Sequence, residues 1–392
     1  MVSAGVTRLM DLRAESAPPP YPVPCDYFPL QDLEFGQHAM LSAAARQVKR
    51  RVEQGEIVGI YCQAGLSRTA AVACAYLLEE DWSLNDAIRY VSERHPQAAP
   101  ALGLMRTLED LARMKQSLGL RHEAIKVGKT AIHAVHVPGP GETMVLLHGA
   151  YGSWSHWWNN LGGLRQESDV WLLDLPGFGE SSDWDTEAFS WPDYLRVLKA
   201  AIEQIAPRCA MLGGYSFGAY LAVYLLAEHP FLAKAALLVS LVGRTGDPAR
   251  HQPIHEERFL PHFGFADRVA VVRRNLARFH LCDPESVDAQ TVYLIYHNIF
   301  RTRLSPGTIR ASRPRVLPLD LVSRLSIPTL MLWGKNDPFC QPSADSWAEA
   351  LQTTNPGLYC RVLPGLSHWC QYEDPDRFLT EVRRFSALVT NA

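Results

Sequence analysis

Apolar and polar positions along the 392 residues change their spacing part-way down the chain, and the change outlines the fold. Residues 6–12 (VTRLMDL) and 57–61 (IVGIY) are short, nearly continuous apolar runs, which predict buried strands. Between them, 36–53 has helical apolar spacing, and 69–80 is strongly apolar and helix-forming. Ser83-Leu84-Asn85-Asp86 resembles a capping box with an acidic third position, opening a helix to about His95. A further helix over about 103–116 closes this part. The prolines at 18, 19, 20, 22 and 24 mark an extended surface loop.

Near 119–123 the pattern turns to strands. Residues 126–137 alternate as a hairpin does, and 143–147 (TMVLL) reads as a buried strand ending at His148-Gly149. There follow a strand at 170–173, a helix at 191–205, a strand at 210–212, a helix at 217–228 and a strand at 235–240. An irregular helical insert occupies about 245–314. The alternation resumes with a strand at 329–333, a helix at 344–350, a strand at 359–362 and a helix at 375–389. Strands alternating with helices predict a parallel sheet covered on both faces. The expected class is therefore α/β with two domains, 1–119 and 124–392, the second carrying the insert as a cap.

Length allows two cores. Composition, 47% hydrophobic and 20% charged with a formal net charge of −3, is that of a globular protein. No basic surplus points to nucleic acid. The N-terminal stretch is broken by charge every few residues, unlike a secretory signal, and no apolar run reaches membrane-spanning length. Eight cysteines without a repeated short spacing disfavour a disulfide framework or a zinc site. A reducing cytoplasm is the expected location, and no cofactor or metal is expected.

Gly214-Tyr215-Ser216-Phe217-Gly218 stands between a predicted strand and a predicted helix, the setting of a nucleophile elbow. Flanking glycines let the turn form and lift the Ser216 hydroxyl clear of the sheet. Asp337 follows the strand at 329–333, and His368 lies beyond the next strand, in the order serine, acid, histidine. In this chemistry His368 takes the Ser216 proton and returns it to the leaving group, while Asp337 holds the imidazole. The N–H groups of Phe217 and Ala150 are the expected oxyanion donors.

A second nucleophile pattern lies at Cys62, followed six residues later by Arg68. The intervening Gln63, Ala64, Gly65, Leu66 and Ser67, with Arg68 and Thr69, join a strand to a helix N-terminus. Such a loop cradles a phosphate with backbone N–H groups and the helix dipole. The same field is expected to lower the Cys62 pKa and expose a thiolate. Arg68 holds two phosphate oxygens at once, which lysine cannot. Thr69 is placed to serve Cys62 or the hydrolysis of a phosphocysteine. Asp32, thirty residues earlier, is the candidate general acid, with Asp26 as the fallback.

From about 124 to 392 these residues resemble the α/β-hydrolase family. Asp174-Leu175-Pro176-Gly177-Phe178-Gly179-Glu180-Ser181 is similar to its D-x-P-G-x-G-x-S turn, and the insert at about 245–314 sits where that family places its cap. Serine as nucleophile argues against the aspartate-dependent epoxide hydrolases and dehalogenases of the fold. His368-Trp369-Cys370-Gln371-Tyr372-Glu373 resembles the H-W-x-Q-W-E segment of carbon–carbon hydrolases acting on meta-cleavage products, although the elbow there reads Asn-Ser-Met. The resemblance implies a small-molecule ester or acyl substrate, carboxylesters first. Tyr151, Trp154, Trp157 and Trp158 either line an acyl pocket or pack beneath the cap.

Residues of about 5–115 resemble the dual-specificity branch of the protein tyrosine phosphatases. Cys62 to Ala70 is close to C-Q-A-G-x-S-R-S-A, and Gly5-Val6-Thr7 to Asp11-Leu12-Arg13 looks like G-V-T-x-V-x-x-L-R. The implied substrate is a phosphoprotein or a phosphorylated small molecule. Tyr61 replaces the family's histidine before the nucleophile, and only four residues precede the G-V-T strand, so a first strand or two is expected to be missing. Two readings stay open: an active phosphatase fused to a hydrolase, or a phosphate-binding module without catalysis. The remaining cysteines (Cys25, Cys74, Cys209, Cys282, Cys340, Cys360, Cys370) read as apolar fillers or loop thiols. Trp82 and Trp171 are expected in the core. His251, His255 and His262 match no common metal-ligand spacing.

Overall fold

The computed structural model describes residues 5–16, 18–185, 189–244, 256–305, 308–309, 312 and 318–390. The insert positions His251 and His255 lie outside the described residues. The architecture is α/β in two compact units. The first comprises Met1–Ser117, Arg258–Arg274 and Asp288–His297; the second comprises Leu118–Glu257, Asn275–Val287 and Asn298–Ala392.

In the first unit, strand β1 (Arg8–Arg13) lies between β2 (Cys25–Leu30) and β3 (Val58–Tyr61), both parallel to it. Leu9, Met10 and Leu12 of the central strand are buried, each such side chain stabilising by about 2 kcal/mol. Helices α1 (His38–Glu53), α2 (Arg68–Glu79), α3 (Leu84–Arg94) and α4 (Leu102–Leu118) accompany the sheet. Ser83 caps α3 by accepting the Asp86 N–H at 3.1 Å, as its sequence predicts. Trp82 corrects an expectation: it is 40% exposed, edge-on to Tyr90, because the chain leaves α2 through Asp81 at φ +62° and turns the indole outward. Asp11 is fully buried, bound by Arg13 and the Tyr21 hydroxyl, and the Arg13 guanidinium lies over the Tyr61 ring.

The second unit is built on eight strands in the order β13-β11-β9-β8-β6-β7-β5-β4. Their ranges are β4 Arg121–Val127, β5 Thr130–Val137, β6 Thr143–Leu147, β7 Asp169–Leu173, β8 Cys209–Tyr215, β9 Ala233–Val239, β11 Thr329–Gly334 and β13 Leu358–Leu363. A two-residue ladder pairs β10 (Gly243–Arg244) with β12 (Cys340–Gln341). From β7 to β13 the main sheet is parallel; the β4–β5 hairpin joins it antiparallel through β5 and β7. The sheet is therefore parallel only over six strands, and the hairpin supplies its edge. Helices α5 (Leu161–Leu164), α6 (Trp191–Ile205) and α7 (Phe217–Glu228) follow β6, β7 and β8, and Pro375–Thr390 closes the chain. α7 is buried almost all round, which its run of apolar residues demands. Trp171 is half-buried, stacked on His136 at 4.2 Å, rather than central to the core. All eight cysteines are free; six are buried, Cys25 is half-buried and Cys282 is exposed.

Candidate functional site

Every chemical group of the second unit's site stands at the C-terminal end of a parallel strand, where loops converge in such sheets. Strand β8 ends at Tyr215 and α7 begins at Phe217, so Ser216 alone makes the turn. Its backbone is strained, at φ +51° and ψ −109°. Its N–H donates to Val239 O at 2.8 Å, tying the turn to β9. The neighbouring glycines are required by space. A Cβ on Gly214 would overlap the Gly218 carbonyl carbon, and one on Gly218 the Leu147 carbonyl oxygen. Gly218→Ala is therefore expected to cost about 1–3 kcal/mol of stability, read as a lower urea midpoint. An unchanged midpoint would mean that the turn relaxes freely.

The structure brings the three polar partners together. His368 Nε2 accepts from Ser216 Oγ at 3.0 Å, and its Nδ1 donates to Asp337 Oδ2 at 2.7 Å. Asp337, after β11, also accepts from Phe339 N at 2.9 Å and from the Cys340 thiol at 3.7 Å. The carboxylate is thus buried yet fully engaged. Phe339 lies beside the His368 ring, centroids 4.5 Å apart and tilted by 48°.

Phe217 opens α7, so its N–H has no carbonyl one turn back. Ala150 follows His148-Gly149 in a loop held by two histidines that sequence reasoning passed over. His148 Nδ1 donates to Gly149 O at 2.7 Å while its Nε2 accepts from Leu175 N at 3.0 Å, which fixes the tautomer. His156 Nδ1 accepts from Gly149 N at 3.2 Å. Burial lowers the pKa of both rings, well below the ordinary value for His156, as these acceptor roles require. Asp174 of the D-x-P-G-x-G-x-S turn is fully buried, accepting from Trp154 N, Glu180 N and His133 Nδ1. It braces the same loop. Trp154 and Trp157 are buried, Trp157 against Phe378, so these two pack in the interior; Trp158 is half-buried and Tyr151 exposed.

In the first unit, Cys62 follows β3 and is buried. Gly65, at φ +72°, turns the loop so that its N–H donates to Cys62 Sγ at 3.3 Å, and the thiol lies 3.9 Å from Thr69 Oγ1. Gln63 and Ala64 are exposed; Gly65, Leu66, Ser67 and Thr69 are half-buried. The loop is pinned from behind: Ala99 N donates to Leu66 O and Ala101 N to Ser67 Oγ. Arg68, the first residue of α2, is only 2% exposed. Its Nη1 donates to Glu15 Oε2 at 2.9 Å and Leu30 O at 3.2 Å, and its Nε lies 3.3 Å from Asp32 Oδ2. Asp32 therefore stands at the loop. Asp26, the fallback acid, is engaged instead by Arg51, Gln47 and Arg8. Glu15 was not foreseen, since nothing local marks it. Burial is the largest influence and raises its pKa, but the Arg68 hydrogen bond and charge, with backbone hydrogen bonds of the segment, together hold the carboxyl below its ordinary value. His262, the described member of the insert's histidines, sits edge-on to Phe263.

Comparison with known proteins assigns families to both parts of the chain. Residues 144–381 match the alpha/beta hydrolase family, and residues 26–114 match the dual specificity phosphatase catalytic domain. The chain is 26% identical over 273 residues to the 2-hydroxy-6-oxononadienedioate/2-hydroxy-6-oxononatrienedioate hydrolase of Klebsiella pneumoniae, spanning 66% of this chain and 92% of that protein. It is 26% identical over 258 residues to the pimeloyl-[acyl-carrier protein] methyl ester esterase of Nitrosospira multiformis, spanning 63% and 95%. Carboxylesterase CesB from Bacillus subtilis superposes with a TM-score of 0.53 at 17% identity, over 72% of this chain and 97% of that one. No helix among the described residues is long and apolar enough to cross a membrane. With its elbow, acid and histidine loops on one parallel sheet, the chain belongs to the α/β-hydrolase family and carries a dual-specificity phosphatase-like domain ahead of it.

Proposed function

We propose that the second unit hydrolyses a carboxylic ester or similar acyl bond of a small molecule through Ser216, His368 and Asp337. The observation that carries this is the unbroken hydrogen-bonded run from Asp337 through His368 to Ser216. Ser216 Oγ attacks the acyl carbon as His368 takes its proton, and the oxyanion is received by the N–H groups of Phe217 and Ala150. His368 then protonates the leaving group, and water repeats the cycle on the acyl-serine. Ester cleavage with p-nitrophenyl butyrate, together with fluorophosphonate labelling of Ser216, tests it. A carbon–carbon bond hydrolase is the second reading, favoured by the stretch His368 to Glu373 and by the Klebsiella relative. A meta-cleavage product turned over faster than the butyrate ester would favour it.

For the first unit the reading is a phosphate-monoester hydrolase acting in the cytoplasm on a phosphoprotein or phosphorylated small molecule. Cys62 is the nucleophile, Arg68 the phosphate clamp and Asp32 the general acid. Its support is the Arg68–Asp32 pair beside the Cys62 loop. The same guanidinium is bonded to Glu15, a carboxylate that competes with an incoming dianion. Glu15→Ala is thus expected to tighten tungstate binding about tenfold, measured by calorimetry. Weaker binding would make Glu15 a support of the loop. A chain that binds tungstate but turns over no phosphate ester would instead be a recognition module.

A further inference from the structure

A second histidine–carboxylate pair stands beside the hydrolase triad. The segment Leu276–His280 is a π-helical turn, a feature that often marks functional sites. Its last two carbonyls grip both neighbours of His368: Ser367 Oγ donates to Phe279 O at 3.2 Å and Trp369 N to His280 O at 2.9 Å. The His280 ring consequently lies 5.7 Å from the His368 ring, centroid to centroid, and 5.6 Å from Phe339.

The ring is built into place on its other side as well. Asn275, immediately before the turn, exchanges two amide hydrogen bonds with the Glu257 backbone, each 2.9 Å. That pairing delivers the Glu256 carboxylate to His280 Nε2 at 2.8 Å. Glu256 also acts electrostatically on Tyr215, the residue before the nucleophile. A carboxylate only accepts, so Nε2 carries the proton and, in the neutral ring, Nδ1 is the acceptor. Among the described residues Nδ1 has no partner, and the His280 side chain stays 24% exposed.

We infer that His280, oriented by Glu256, is a specificity residue of the hydrolase, accepting a hydrogen bond from a hydroxyl group on the acyl part of the substrate. This rests on the ester-hydrolase reading of Ser216. Glu256 adds the complementary restriction: its negative charge disfavours acyl chains that end in a carboxylate. Hydroxyacyl esters are therefore the preferred class, ahead of plain acyl esters and well ahead of half-esters of dicarboxylic acids.

The experiment compares kcat/KM of the full chain for methyl β-hydroxybutyrate, methyl butyrate and monomethyl succinate by pH-stat. The wild type is expected to favour the hydroxy ester over the butyrate about tenfold or more, because a site built for a hydroxyl rejects the analogue lacking it. His280→Leu should bring that ratio close to unity, lowering kcat/KM for the hydroxy ester far more than for methyl butyrate. Glu256→Gln should selectively improve the succinate half-ester. A wild type indifferent to the hydroxyl, or a His280→Leu variant that slows all three esters alike, overturns the inference. Ser216→Ala run alongside separates the two levels: hydrolysis surviving that change would mean that the ester-hydrolase reading has failed, not the role of His280.

Discussion

Ser216→Ala is expected to lower kcat for p-nitrophenyl butyrate by about six orders of magnitude, the size of effect seen when a serine nucleophile is removed from a working triad. The alanine keeps the elbow's backbone but leaves His368 Nε2 with no hydroxyl to activate. Asp337→Asn should cost about 10⁴-fold, since an amide can offer His368 Nδ1 an N–H and select the wrong tautomer. His368→Ala should cost as much as Ser216→Ala, and the double variant little more than either alone, because the groups act as a unit. Steady-state rates and fluorophosphonate labelling measure this, and butyrate hydrolysis persisting in Ser216→Ala would sink the assignment.

Cys62→Ser should abolish p-nitrophenyl phosphate hydrolysis, a serine hydroxyl in that loop having no base to ionise it, while butyrate hydrolysis continues unchanged. Arg68→Lys should lower kcat/KM about a thousandfold, because an ammonium replaces a fork that binds two equatorial oxygens. Asp32→Asn is more discriminating. As general acid it contributes about 10²–10⁴-fold, and the loss should be larger for phenyl phosphate than for the p-nitrophenyl ester, whose leaving group needs no proton. Equal losses on the two esters would make Asp32 a partner of Arg68 and nothing more. Phosphatase activity unaffected by Cys62→Ser would remove the thiolate mechanism.

Most elements of both units follow from local pattern. Thr143–Leu147, Trp191–Ile205 and Phe217–Glu228 begin and end where apolar spacing, caps and glycines place them. Strand β2 is hard to delimit from local pattern. Pro24 and Pro29 punctuate it, and proline is tolerated there because β2 is an edge of its sheet, a fact about neighbours rather than about the segment. Trp82 misleads for the same kind of reason: its size argues for burial, but the turn at Asp81 decides where it points. Nor does any local signal announce Glu15 or Glu256. Each reaches its partner across a long stretch of chain, Arg68 53 residues on and His280 24 residues on.

The order of residues alone determined where a nucleophile meets a helix N-terminus. A strand, a tight turn and a helix are short-range conformational preferences, and both Ser216 and Cys62 sit on such junctions. Which side chains surround those atoms was settled only by tertiary structure. The pairing of β8 with β9, and of β9 with β11 and β11 with β13, sets the distance from Ser216 to Asp337 and His368. The approach of Glu15 to Arg68 depends likewise on how distant segments pack. Hydrogen bonds act over about 3 Å, so no spacing along the chain can state them until the sheet has fixed its register.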